Sequence, residues 1–125
     1  MPSVVMQGKR LDRVGHLIQM EISSLILHRV KDPRLGFVTV THVSVAPDIR
    51  SAAVFYTVLG DEKKRADSQL ALEKASGFLQ REIGTALEIR YTPKLKFIFD
   101  DSLEKGLEIE RVLRKLEHDQ EGPKS

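Results

Sequence analysis

Lys9, Arg10 and Arg13 occupy one short stretch of the chain, Arg34 follows an Asp-Pro pair, Lys74 and Arg81 flank a glycine, and Arg90, Lys94 and Lys96 gather around a proline. Guanidinium and ammonium groups suit the oxygens of a phosphate backbone, where each neutralised phosphate releases a counterion. Singly, each of these residues reads as a solvated surface charge rather than a ligand contact. Collected on one face, they would track a nucleic-acid strand.

Other chemistries are poorly supplied. No phosphate-binding loop of the Gly-x-x-x-x-Gly-Lys or Gly-x-Gly-x-x-Gly kind occurs. His16, His28, His42 and His118 have no metal-site spacing, and His16 and His28 are more than three helical turns apart. Asp100-Asp101 is the most suggestive acidic pair. Adjacent residues at a strand end point to different sides, which suits a turn, with Asp101 or Ser102 capping a following helix. No serine has a glycine-flanked elbow context. The sequence therefore predicts no catalytic residue, no metal site and no cofactor, and a protein that is not an enzyme.

The charge distribution is uneven. Twenty Lys and Arg against 18 Asp and Glu give a net charge of +2. Up to Phe99 the count is 15 basic against 10 acidic residues (+5), and from Asp100 onward it is 5 against 8 (−3). A basic body with an acidic end is consistent with an anionic partner or with solubility alone. The 125 residues amount to one domain, and the absence of cysteine removes disulfide frameworks and thiolate chemistry. No apolar run approaches the roughly 18 residues that span a bilayer. The opening Met1-Pro2-Ser3-Val4-Val5-Met6 is interrupted by Lys9-Arg10 too soon for a signal peptide. A soluble, cytoplasmic protein is expected.

The elements that must carry the basic residues follow from periodicity. From about Ser3 to Val30, Leu11, Val14, Leu17, Ile18, Ile22, Leu25 and Ile26 keep the spacing of one helical face, and Asp32-Pro33 stops the helix. Phe37 to Ala46 reads as a strand whose alternation slips phase near Thr41-His42, the mark of a bulge. Pro47-Asp48 turns the chain into a second strand, Arg50 to Leu59, making an antiparallel hairpin. Lys63 to Leu87 returns to helical spacing, with Leu70, Ala71, Ala75, Phe78, Leu79, Ile83 and Leu87 near one face. Gly77, costing about 1 kcal/mol relative to alanine, is either a break or kink at Ala75-Ser76-Gly77 or a glycine chosen for close helix packing. Tyr91 to Asp100 is a third strand, and Leu103, Leu107, Val112, Leu113 and Leu116 suggest a C-terminal helix at about 102–116. A disordered polar tail is expected over 117–125. The fold class is thus α+β: one domain over 1–116, with a three-stranded sheet whose helices pack on one face and bury every apolar stripe.

Several segments resemble bacterial ribosome-binding factor A. They are the run Asp32-Pro33-Arg34-Leu35-Gly36-Phe37-Val38-Thr39-Val40-Thr41 followed by Val54-Phe55-Tyr56, the run Phe78-Leu79-Gln80-Arg81-Glu82-Ile83, and Arg90-Tyr91-Thr92-Pro93-Lys94-Leu95-Lys96-Phe97. The resemblance runs in consistent order from about Lys9 to Leu116. It implies a KH-like domain of the second type, ordered helix–strand–strand–helix–kink–helix–strand, with Ala75-Ser76-Gly77 at the kink where other KH domains carry a Gly-x-x-Gly loop. It also implies binding to the small ribosomal subunit and its rRNA during late maturation, and support for processing of the rRNA precursor and for growth in the cold. On this reading Lys9, Arg10, Arg13, Lys74, Arg81, Arg90, Lys94 and Lys96 contact phosphates, and Ser76 and Gly77 permit close backbone approach. Arg34 either anchors its turn to a carboxylate or contacts RNA. The protein is expected to be a monomer that needs no cofactor and meets no membrane, with ribosomal proteins and other assembly factors as further partners. The acidic amphipathic end supports a different reading, a protein-interaction module that meets the ribosome through proteins.

Overall fold

A computed structural model of the protein describes residues 2–121. The elements are α1 (Pro2–His28), β1 (Phe37–Val45), β2 (Ser51–Leu59), α2 (Glu62–Leu87), β3 (Lys94–Phe99) and α3 (Ser102–Glu121). The sheet order is β1-β2-β3, with β1 antiparallel and β3 parallel to the central β2. A parallel neighbour demands a crossover connection, and α2 supplies it. The α+β, KH-like domain with a three-stranded sheet is therefore present.

The phase slip read in β1 is real. The β1–β2 register shifts between Val40 and His42, leaving Thr41 as the extra residue. Gln19 on α1 donates its side-chain amide to the carbonyls of Val40 and Thr41, at 3.3 and 3.4 Å, so a helix side chain reads the bulge. One turn earlier, a Cβ on Gly15 would stand 2.8 Å from the Val43 carbonyl oxygen; glycine is what lets α1 approach β1 this closely. These contacts set α1 antiparallel to β1.

The core is built from Ile18 and Ile22 of α1, Leu72, Leu79 and Ile83 of α2, and Val54 and Tyr56 of β2, all almost fully buried. Burying aliphatic side chains of this size stabilises the fold by roughly 1.5–3 kcal/mol each. Both helices pack on the same face of the sheet, α1 over β1 and α2 over β3 and β2. Alternation along the strands puts a second set of side chains on the uncovered face.

Four expectations are corrected. First, α2 is one helix from Glu62 to Leu87, not two helices parted at Ala75-Ser76-Gly77. Its end is a left-handed Glu88 whose N–H reaches the Gly84 and Thr85 carbonyls, and the Asp61 carboxylate caps its start. The roughly 1 kcal/mol cost of a glycine is small beside the burial of Leu72, Leu79 and Ile83 on either side of it. Second, Leu70 and Leu17 point outward, whereas Leu72 and Ser68 are buried. Third, α3 continues to Glu121, five residues into the expected tail, and residues 122–125 lie outside those described. Fourth, α3 is not packed on the sheet: Leu107, Val112, Leu113 and Leu116 are all more than half exposed, while the Leu103 side chain lies outside the described residues. A terminal helix is held only by what it covers, and nothing in its own spacing required a partner within the chain.

Candidate nucleic-acid interface

The basic residues singled out in the sequence do not form one patch. Lys74, Gly77 and Arg81 stand at positions i, i+3 and i+7 of α2, so they share one helix face, and all three are exposed. A Cβ at Gly77 would meet nothing within 4 Å, so the backbone there is open between two cations. Ser76 beside it is half-buried and donates its hydroxyl to the Glu73 carbonyl at 2.7 Å.

The end of α1 comes down against this part of α2. A groove of about 260 Å³ lies between them, lined among others by Arg29, Lys31, Asp32, Lys74, Ala75 and Phe78. The Arg29 guanidinium sits 5.4 Å from the centre of the Phe78 ring and 4.0 Å from Glu82. Within the Asp-Pro-Arg turn, Arg34 donates from Nε to Asp32 Oδ1 at 3.2 Å and from Nη2 to Oδ2 at 3.0 Å, while its backbone N–H also reaches Oδ1 at 2.9 Å. Arg34 thus anchors its turn to the Asp32 carboxylate. The paired guanidinium holds the Asp32 carboxyl down at about 2, with Lys74 adding a smaller effect through space. Gly36 completes the turn by donating its N–H to the buried Ser68 hydroxyl at 2.9 Å.

The remaining candidates lie elsewhere. Lys9, Arg10 and Arg13 are exposed and precede Gly15, whose nearest neighbours are Val43 and Val45; they therefore lie toward the end of the domain that carries the Ala46–Arg50 turn. Lys94 pairs with Ser51 and donates its N–H to the Arg50 carbonyl at 2.9 Å, which puts it at that same end. A cavity of about 800 Å³ there is lined by Asp48, Ile49, Arg50, Ile89, Arg90, Tyr91 and Thr92, with the Arg90 guanidinium 5.4 Å from the Tyr91 ring centre. Lys96 stands two residues on from Lys94, on the uncovered sheet face.

The sequence reading missed Arg29, Lys31 and Arg50. Arg29 and Lys31 follow the apolar stripe of α1 directly, where a helix end meets a turn, but nothing in their spacing announces that α2 lies across from them. Among the described residues no cluster of His, Asp and Glu could hold a metal ion, and no helix is long and apolar enough to cross a membrane.

The fold has known counterparts. The family profile described as Ribosome-binding factor A matches residues 10–113. Ribosome-binding factor A of Halothermothrix orenii is 46% identical over 116 residues, covering 93% of this chain and 95% of that protein. The Heliobacterium modesticaldum protein of the same name is 44% identical over 121 residues, covering 95% and 100%. Among solved structures, the crystal structure of ribosome-binding factor A from Thermus thermophilus aligns with a TM-score of 0.63 at 22% identity, over 70% of this chain and 93% of that one. A homology model of the Thermus thermophilus factor, fitted into a cryo-EM map of its complex with 30S, aligns with a TM-score of 0.57 at 22% identity, over 68% and 89%. With the profile spanning nearly the whole domain and such identity to full-length relatives, the chain belongs to the ribosome-binding factor A family.

Proposed function

We propose that this protein is a non-enzymatic, cytoplasmic assembly factor that binds the small ribosomal subunit through its rRNA. It acts during late maturation, supports processing of the rRNA precursor and growth in the cold, and works as a monomer without a cofactor. The observation that carries the RNA part is the Lys74–Gly77–Arg81 strip: two cations with an open backbone between them, beside a groove edged by Arg29 and Lys31. Phosphate oxygens can approach a glycine backbone that has no side chain over it, and flanking cations fix their register. The Thermus thermophilus relative in complex with 30S supports the choice of subunit. Lys9, Arg10, Arg13, Arg90 and Lys94 form the second group of phosphate contacts, at the far end of the domain.

Sedimentation of the endogenous protein through a sucrose gradient tests this. Co-migration with free small subunits, and not with translating ribosomes, is expected. A protein that stays at the top of the gradient at low salt and during cold growth overturns the ribosomal function.

One observation favours a second reading. The apolar face of α3, with Ile109, Val112, Leu113 and Leu116 more than half exposed, is presented as a helix suited to a protein partner. Removing residues 102–125 separates the two: loss of subunit association with RNA binding retained selects the protein-interaction module.

A further inference from the structure

Among the described residues, no layer covers the face of the sheet turned away from α1 and α2. His42, Phe55 and Ile98 stand side by side in one row across the three strands. The His42 and Phe55 ring centroids are 6.2 Å apart, with their planes tilted by 31°. Toward the Ala46–Arg50 turn, the next rows set Lys96 beside Ala53 and Lys94 beside Ser51. On the other side of the aromatic row, Phe37 pairs with Leu59, and both are largely exposed, at 72% and 78%. The remaining positions are threonine, serine and alanine, and the Asp100 carboxylate reaches over this face between the aromatic row and the Phe37–Leu59 pair, held by the Thr41 hydroxyl.

Two features select an occupant. Two lysines spaced by two strand positions, about 6.6 Å, at the end of β3 away from Asp100, call for an anionic ligand. A flat centre made of a phenyl ring, an imidazole and an isoleucine, floored by small side chains, calls for one with planar apolar faces. A single nucleic-acid strand joins both properties in each nucleotide, since every base has a π-face and every linkage a charge. We propose that this uncovered face binds a short single-stranded RNA segment, with bases on Phe55 and His42 and the backbone along Lys94 and Lys96. The site is separate from the Lys74–Gly77–Arg81 strip, because α2 packs on the opposite side of the sheet.

The test uses the full chain and a fluorescent oligouridylate. Phe55→Leu, which keeps apolar bulk but removes the ring, is expected to weaken binding about tenfold. The surface double substitution Lys94→Gln with Lys96→Gln is expected to reduce the slope of log affinity against log salt by roughly 1.4. Urea midpoints confirm that both variants fold. Photo-crosslinking then locates the strand: crosslinks to the Phe37–Leu59 hairpin or to β3 support the inference, and crosslinks confined to residues 74–81 overturn it while leaving the α2 strip standing. Unchanged binding in both variants also overturns it, as does loss of subunit association with unchanged RNA binding, which assigns the face to a protein. An oligouridylate that does not bind the wild type sinks this inference alone, because gradient co-migration decides the proposed function independently.

Discussion

The hydroxyl of Thr41, the extra residue of the β1 bulge, donates to Asp100 Oδ2 at 2.7 Å across 59 positions of sequence. The same carboxylate accepts the Ser102 N–H at 3.0 Å, so one side chain joins the bulge to the first turn of α3. Hydrogen bonds from Ser102 and then Thr41 hold the Asp100 carboxyl down at about 2.

Acid sensitivity follows from Asp100 and Asp32 together. Both carboxyls lie below their ordinary 3.8, at about 2, so their contribution to stability is complete above 3.8 and disappears as pH falls through about 2. Urea midpoints of Asp32→Asn and Asp100→Asn are expected to lie below wild type at pH 6 and to converge with it at the acid end of that window. A gap of constant size across the range would show that neither carboxylate is held down by its partners.

Two glycines of helices are predicted to respond with opposite signs. Gly15→Ala places a Cβ against the Val43 carbonyl, a backbone atom that cannot step aside, and should cost about 1–3 kcal/mol. Gly77→Ala fills open space in a continuous helix and should stabilise by about 1 kcal/mol in thermal or urea unfolding. If the strip binds phosphates by close approach, the same Gly77→Ala weakens RNA binding while raising stability.

Removing the Tyr56 hydroxyl tests the polar seam beside the core. That hydroxyl bonds Gln69 Oε1, and Gln69 donates from Nε2 to the Phe97 carbonyl at 2.9 Å, linking β2, α2 and β3. Tyr56→Phe keeps the edge-to-face contact with Phe99, at 5.9 Å, and should cost about 1 kcal/mol in urea unfolding.

Arg81→Ala should lower the salt slope of RNA binding by roughly 0.7, the share of one single-strand phosphate contact. An unchanged slope removes Arg81 from the interface. Deleting residues 102–125, in contrast, should leave the unfolding midpoint of the domain nearly unchanged, because none of the described α3 side chains belongs to the buried core.

Much of the fold was legible in the chain. The apolar period of α1, the hairpin, and the slip at Thr41-His42 are local patterns with local causes, and each appears where the spacing put it. The break at Gly77 was misread because propensity was weighed without the burial of Leu72, Leu79 and Ile83. The candidate site was legible only as residue types: Lys74 and Arg81 were visible as cations around a glycine, but their neighbours Arg29 and Lys31 were not.

The sequence by itself determined the elements, the Asp-Pro-Arg turn, the absence of thiol chemistry and the excess of positive charge before Asp100. Those depend on backbone preference, periodicity and composition, which act over a few residues at a time. The tertiary structure decided that β3 lies parallel beside β2, that α1 ends over α2, and that the basic residues divide between a helix strip, one end of the domain and an open sheet face. It also decided that Arg34 is held by Asp32 and that α3 is left unpacked. These are long-range pairings, set by which arrangement buries the most apolar surface while satisfying the backbone, and no local pattern encodes that balance.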